Sequence, residues 1–199
     1  MNNQKGEGNL GIIKFFSELY MLKRNKRSGL AILDAPPDSI AEHIALTAQI
    51  AYVLAKMEGL NAEKCATMAL FHDNDETRIG DLHKIATLYF KKEQASLRAI
   101  GDQLSDLPKD IKEAILRLVE IENSPEGEIL HDADWLELAF QAKIFEERGY
   151  KPSREWIEFI GTILRTESAK KILAEVLTMD DFTNCWWEKE RRKIIEETK

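Results

Sequence analysis

The chain has 199 residues, with 35 acidic side chains, 28 basic side chains and a formal net charge of −7. This length is typical of one domain, and the acidic excess argues against a dedicated nucleic-acid-binding protein, which usually carries a basic face. With Cys65 and Cys185 as the only cysteines, a disulfide framework and a thiolate zinc site are excluded, so we expect a reducing, cytoplasmic setting.

Apolar side chains recur at helical spacing along the chain, and no segment shows the period-two alternation of a strand. We therefore predict an all-α protein. No apolar run approaches the roughly 20 residues that span a bilayer, and the first residues do not form a signal peptide, so we expect no membrane association. In chain order, the predicted helices cover residues 9–23, 39–58, 61–73, 82–90, 91–104, 108–121, 128–147, one that opens at 152–153, and 181–196.

Several helix ends carry explicit signals. The segment from Ser39 to Glu42 is a capping box, in which the serine oxygen and the glutamate side chain each serve a free backbone N–H. Asn61 is placed to cap the following helix, and Gly59 is placed to end the one before it. Loops are predicted at residues 34–38, where two prolines forbid a helix, and at 123–127.

Metal-binding side chains stand where these helices should be apolar. His43 lies on the face predicted to point inward, the adjacent pair His72 and Asp73 follows an apolar run, and Asp134 has a leucine four residues away on each side. Each one alone is more often a hydrogen-bonded core residue than a ligand. Burying an unpaired carboxylate or imidazolium is costly, and two of each around one divalent cation would remove both costs.

A histidine in one helix, His-Asp at the end of the next and an aspartate on a later helix is the order found in the HD-domain metal-dependent phosphohydrolases. The chain resembles this superfamily, and within it the small HD-domain 5′-deoxynucleotidases. The resemblance implies a single HD-domain helical bundle over residues 1–199, with a core at about 22–147 and additional helices at both ends. It rests on four ordered segments, which are SIAEH (39–43), HDNDE (72–76), GDL (80–82) and ADWL (133–136).

The resemblance implies one divalent transition-metal ion held by His43, His72, Asp73 and Asp134. Cobalt, manganese, zinc and nickel all suit a set of two imidazoles and two carboxylates. Magnesium suits it less because it prefers an all-oxygen shell.

Glu76 and Asp81 are the predicted catalytic residues. Glu76 follows His72 by four residues on the same helical face, and the resemblance gives it an acid–base role on a metal-bound water. Asp81 resembles the second catalytic aspartate of the family. Its alternative role is an N-cap before Leu82, and the two roles are compatible.

Substrate phosphate needs a cation besides the metal. Within the basic segment 23–29, Arg27 falls on the arginine that binds phosphate in the family, and a guanidinium suits two phosphate oxygens. The other basic side chains of the segment are expected to be solvated. Leu30 stands where the family has a tryptophan that helps to reject the ribose 2′-hydroxyl, so the selectivity for deoxyribose stays open.

Four other residues are candidates for these roles. His131 and Asp132 form a second His-Asp pair, but we expect Asp134 to be the ligand and Asp132 to lie outside the metal site. His83 is expected near the mouth of the cleft. Asp75 is expected to be exposed.

The predicted function is metal-dependent hydrolysis of a nucleoside 5′-monophosphate, expected to be a deoxyribonucleotide, by a homodimer. The first alternative is the same chemistry on another nucleotide or phosphorylated small molecule, because a fold and metal site do not fix the substrate. The second is a non-catalytic nucleotide-sensing module, which would have no need of both Glu76 and Asp81.

Overall fold

The computed structural model describes residues 4–119 and 124–198. These two ranges form eleven α-helices and two 3₁₀ helices, Tyr20–Lys23 and Ser28–Leu33, and they contain no strand, only an isolated bridge between Lys26 and Ser39. The all-α prediction is confirmed. The α-helices are α1 (Gln4–Leu19), α2 (Ile40–Met57), α3 (Ala62–Phe71), α4 (Glu76–Ile79), α5 (Lys84–Thr87), α6 (Lys92–Gln103), α7 (Lys109–Val119), α8 (Pro125–Glu147), α9 (Ser153–Ile163), α10 (Glu167–Thr178) and α11 (Glu188–Glu197).

The helices that carry the predicted histidines begin and end as their local sequence dictates. Ser39 Oγ accepts a hydrogen bond from the Glu42 backbone N–H, and the Glu42 carboxylate accepts one from the Ser39 backbone N–H, which confirms the capping box. Asn61 accepts a hydrogen bond from the Lys64 backbone N–H at the start of α3. Between the two helices Gly59 adopts a φ of +72°, a left-handed conformation that costs glycine little.

The largest core cluster lies between α2, α3, α8, α9 and α10. Several of its fully buried positions are alanines, and small side chains at a contact let helix axes approach closely. The close packing of α2 on α8 brings together the two helix faces that carry His43 and Asp134. The alanines of this cluster on α2 and α8 are Ala48, Ala51, Ala55, Ala133, Ala139 and Ala142.

A polar network fastens α1 to the short helix α4. The Glu18 carboxylate accepts hydrogen bonds from Arg78, Thr77 and Gln103, which lie on α4 and α6. A second apolar cluster, formed by α1, α6 and α7 with the turn between the last two, packs beside it. Together they fix the segment that follows α3, in which Glu76 lies.

The start of α8 differs from the prediction. The helix begins at Pro125 rather than at residue 128, because Ser124 caps it by accepting a hydrogen bond from the Gly127 backbone N–H. Proline suits the first helical position, where its missing N–H costs nothing. The predicted loop residue Asn123 and the predicted helix end at Ile121 lie outside the described residues.

The C-terminal part of the chain also differs. Helix α10 was not predicted as a separate element; it begins after Thr166, whose side chain accepts a hydrogen bond from the Ala169 backbone N–H. The last helix begins at residue 188 instead of 181, because Glu147 accepts hydrogen bonds from the backbone N–H groups of Phe182 and Thr183 and holds that segment in turns. In the ranges described, no helix is both long and apolar enough to cross a membrane.

Candidate metal centre

His43 is held in one orientation by a buried carboxylate. Its side chain is 0 % exposed, and its Nδ1 lies 2.6 Å from Oε2 of Glu137 on α8. Because an ionised carboxylate only accepts hydrogen bonds, Nδ1 carries the proton and Nε2 points to the other side of the ring. There Nε2 lies 3.1 Å from Oδ1 of Asp134 and 3.5 Å from Oδ2 of Asp73.

His72 is oriented in the same way by the backbone of its own helix. It follows the last residue of α3, and its Nδ1 donates a hydrogen bond of 2.7 Å to the carbonyl oxygen of Ala69. Its Nε2 lies 3.2 Å from Oδ2 of Asp73, and its ring centroid lies 5.4 Å from that of His43. Both imidazoles therefore direct Nε2 toward the same carboxylates.

The arrangement fits a bound metal ion. One possible ligand atom from each of His43, His72 and Asp134 lies within 4.8 Å of the other two, and Asp73 lies beside both histidines. Both Nε2 atoms are buried, and neither makes a hydrogen bond of normal geometry with any part of the chain that the structure describes. Metal-binding histidines use one ring nitrogen for the ion and donate the other N–H to a carboxylate or carbonyl. In His43 and His72 the Nδ1 atom makes such a contact, which leaves Nε2 for an ion.

The charges of the site also favour a cation. Burial alone lowers the pKa of His43, but the carboxylates of Asp134 and Glu137 outweigh it and raise the pKa to about 10. Burial raises the pKa of Asp134, but the close approach and the charge of His43 lower it to about 2. The carboxylates thus draw positive charge toward the histidine ring, and a divalent cation between these groups would satisfy the same need.

Glu76 lies beside this cluster, at the start of α4. Its side chain is 1 % exposed, Oε1 accepts a hydrogen bond of 3.0 Å from Nζ of Lys92, and Oε2 has no partner in the described ranges. Burial and the charge of Asp73 raise the pKa of Glu76 to about 8 in spite of Lys92. A buried carboxyl with one oxygen held and the other unpaired is suited to proton transfer.

Asp81 is held in the site by the first residue of the second 3₁₀ helix. Its Oδ2 accepts hydrogen bonds from the backbone N–H and the hydroxyl of Ser28. The alternative role as an N-cap is wrong, because α5 begins at Lys84 and its N-cap is His83, whose Nδ1 accepts a hydrogen bond from the Ala86 backbone N–H. Contact with Ser28 across the chain, rather than local capping, fixes Asp81.

Arg27 immediately precedes the second 3₁₀ helix and also approaches the cluster. One of its terminal guanidinium nitrogens lies 4.0 Å from Oδ2 of Asp73, and only 14 % of the side chain is exposed. The other basic residues of the segment, Lys23, Arg24 and Lys26, are exposed as predicted. Arg27 is therefore the cation of this segment that faces the site.

In the second His-Asp pair, Asp132 lies on the opposite side of α8 from Asp134. Asp132 is 0 % exposed and accepts hydrogen bonds from the backbone N–H groups of Arg165 and Thr166, so it anchors the start of α10. His131 contacts Asp132, with 2.9 Å between Nδ1 and Oδ1. Asp75 is 5 % exposed, so the expectation that it is exposed is wrong; the turn after α3 folds it inward, where burial raises its pKa.

A cavity of about 490 Å³ opens from this cluster, a volume typical of small-molecule sites. Its polar end contains Arg27, Glu76 and Asp81, together with the exposed edges of Asp73 and Asp134. His83, expected near the mouth of a cleft, lines it too, while the remaining lining residues are largely apolar.

Sequence reasoning missed two charged residues of the site, Glu137 and Lys92. Glu137 follows Asp134 by three residues on α8, a spacing that places both on one helical face and could have identified it. Lys92 begins α6, and its approach to Glu76 depends on how that helix packs, so no local signal pointed to it.

A family model described as HD domain matches residues 19–177. The chain belongs to the HD domain family. Human 5′-deoxynucleotidase HDDC2 is 28 % identical to it over 157 residues, which cover 75 % of each chain. Schizosaccharomyces pombe 5′-deoxynucleotidase hdd1 is 29 % identical over 181 residues, which cover 84 % of this chain and 89 % of the relative.

Among solved structures, the HD phosphohydrolase DatZ of cyanophage S-2L, bound to dA and one catalytic Zn²⁺ ion, superposes with a TM-score of 0.54. The match covers 80 % of this chain and 91 % of DatZ, at 16 % identity, and shows a shared fold. Phosphohydrolases of the HD domain family use a divalent metal, and the cluster of two histidines and an aspartate in this HD domain has the residue types to hold one.

The hydrogen bond from His43 to Glu137 gives a first prediction. The variant Glu137→Gln is expected to bind Mn²⁺ or Co²⁺ about 10- to 100-fold more weakly, because the amide no longer polarises the ring or selects its tautomer. Titration calorimetry with each ion measures this. Glu128→Gln, at an exposed position on the same helix, is the matched control. Equal affinities for the two variants would contradict the role given to Glu137.

Proposed function

We propose that this HD domain is a metal-dependent phosphomonoesterase that hydrolyses nucleoside 5′-monophosphates, with deoxyribonucleotides as its preferred substrates. The observation that carries the proposal is the pair of buried, unpaired Nε2 atoms of His43 and His72, which face two carboxylates at the polar end of a cavity that also contains Arg27. The names of the human and fission yeast relatives support the substrate class.

In this proposal the ion is held by His43, His72, Asp73 and Asp134. Cobalt, manganese, zinc or nickel would suit the two imidazoles, and magnesium would suit them less. When bound, such an ion polarises a phosphate oxygen and lowers the pKa of a coordinated water toward neutrality.

The remaining polar residues would bind the substrate and manage its protons. The guanidinium of Arg27 binds phosphate oxygens and offsets the charge that develops on them during hydrolysis. Glu76, with Oε1 held by Lys92, accepts or returns a proton at its unpaired Oε2. Asp81, anchored through one oxygen by Ser28, orients the attacking water or contacts the sugar.

Leu30, at the position where relatives of this kind carry tryptophan, is 1 % exposed and packs with Leu33, Ala35 and Phe145 while lining the cavity. The preference for deoxyribose therefore rests on the names of the relatives rather than on a contact at this position.

The test is phosphate release from dAMP, dCMP, TMP and the corresponding ribonucleotides, with Co²⁺ or Mn²⁺ added and metal binding measured in the same samples. Turnover of the deoxyribonucleotides with less turnover of the ribonucleotides supports the proposal. If metal binds and none of these nucleotides is hydrolysed, the proposed activity is wrong. A broader panel of phosphate esters then tests the alternative that the same chemistry acts on another substrate.

We also propose that the protein acts in the cytoplasm as a homodimer. Exposed apolar side chains on α1, the first 3₁₀ helix and α2, among them Phe16, Tyr20, Leu46 and Val53, support self-association because larger exposed apolar surfaces mark protein–protein contacts. Sedimentation of the purified protein measures the molecular mass, and a monomer at micromolar concentration contradicts the homodimer.

A further inference from the structure

Aromatic side chains from two helices line part of the cavity. Trp135 follows Asp134 on α8, and Trp156 and Phe159 come from α9, three residues apart on one face of the helix. The rings of Trp135 and Phe159 meet edge to face, with centroids 6.1 Å apart and planes at 76°. These three residues form an aromatic wall, and two of them belong to a helix that carries none of the predicted site residues.

The members of the aromatic wall differ in what covers them. Nζ of Lys84 lies 4.8 Å from the ring centre of Trp135 and takes up one face of that ring. Phe159 is 53 % exposed and borders the cavity, so much of its ring is accessible. Trp156 packs against two core clusters. Its Cη2 atom lies 3.8 Å from where a Cβ would stand at Gly29, two residues after Arg27.

The aromatic wall and the candidate metal centre share one cavity. A ligand whose phosphate lies between Arg27 and the metal ligands extends its other end into the same cavity, where the aromatic wall, Leu30 and Ile160 offer apolar surface. A flat, aromatic group is the occupant that matches such a wall, since stacking on aromatic side chains is favourable for every nucleobase.

We propose that Trp156 and Phe159 on α9 form the nucleobase subsite of this cavity. The inference rests on the proposed function for the identity of the ligand, a nucleoside 5′-monophosphate. Stacking does not depend on the hydrogen-bonding groups of a base, so this subsite accepts both purines and pyrimidines. Purines are expected to bind more tightly because their rings offer a larger stacking surface. Trp135, with one face covered by Lys84 and in edge-to-face contact with Phe159, supports the subsite rather than stacking on the base.

The experiment compares dAMP with 2-deoxyribose 5-phosphate, which carries the same sugar and phosphate without a base. In Trp156→Leu and Phe159→Leu, the KM for dAMP is expected to rise roughly tenfold or more. The kcat for dAMP and the KM for 2-deoxyribose 5-phosphate are expected to change less than about threefold, because the lost contacts are made to the base alone. Trp186→Leu removes a 71 % exposed tryptophan outside the cavity and is the matched control.

An unchanged KM for dAMP in both variants, or equal changes for the two substrates, would overturn the subsite. Phe159→Leu keeps the test valid if Trp156→Leu does not fold, because Phe159 is largely exposed. Calorimetric binding of 2′-deoxyadenosine and of 2-deoxyribose separates this inference from the proposed function. If the wild-type protein hydrolyses neither phosphate, the proposed function fails, whereas the subsite still requires the nucleoside to bind and both variants to weaken it.

Discussion

Replacing His43 with alanine is expected to abolish stoichiometric binding of Mn²⁺ or Co²⁺ and to slow phosphate release roughly a thousandfold. The imidazole is fully buried, with Nδ1 held by Glu137 and Nε2 directed at Asp73 and Asp134, so no other side chain of the cluster can take its position. A metal ion supplies several kcal/mol of transition-state stabilisation, and each 1.4 kcal/mol corresponds to about tenfold in rate. Metal content by mass spectrometry and phosphate release measure the two effects.

Two further variants make this prediction specific. Asp134→Ala changes a side chain that is 38 % exposed, so it is expected to fold and to lose the metal in the same way. His131→Ala removes the histidine of the other His-Asp pair and is expected to keep a full complement of metal, because His131 contacts Asp132 and not the cluster. If both His43→Ala and Asp134→Ala retain the metal, the ion binds at another site and the prediction is wrong.

Glu76→Gln is expected to slow phosphate release by about 10²- to 10⁴-fold while metal content stays unchanged. The substitution keeps the shape of the side chain but removes its carboxyl group. That group has a buried, unpaired oxygen and is proposed to transfer a proton. Single-turnover kinetics with dAMP, run beside metal analysis of the same samples, measure both quantities.

Asp75→Asn is the matched control for Glu76→Gln. This neighbouring acid is equally removed from solvent, with a pKa also raised by burial, but it does not line the cavity. We expect its activity to stay within a fewfold of wild type. A loss of metal in Glu76→Gln would instead make Glu76 a ligand, and equal losses of activity in the two variants would point to a general effect of buried acids on folding.

Several helix ends that depend on residues close in the chain could be predicted from the sequence. The capping box at Ser39, the cap at Asn61 and the left-handed Gly59 involve partners within a few positions, so the local sequence contains the whole interaction. The last helix was misplaced because the segment before it is held by Glu147, whose contacts to residues 182 and 183 are about 35 positions away in sequence.

Some residues of the candidate site could likewise be predicted from local sequence, and others could not. The four proposed metal ligands could be identified from the sequence, because helical periodicity and the family resemblance both depend on short segments of the chain. They are His43, His72, Asp73 and Asp134. Glu137 was missed although its spacing from Asp134 was informative.

The tertiary structure alone decided which groups meet. Asp132 and Asp134 are two residues apart on α8, a rotation of about 200° around the helix, so one anchors α10 while the other faces His43. The approach of Lys92 to Glu76, and of Trp156 and Phe159 to the same cavity, joins helices distant in the chain. By itself the sequence determined an all-α chain with an ordered set of metal-binding residues, since those features are local. Their partners and the shape of the cavity depend on how α6, α8 and α9 pack, which no local pattern encodes.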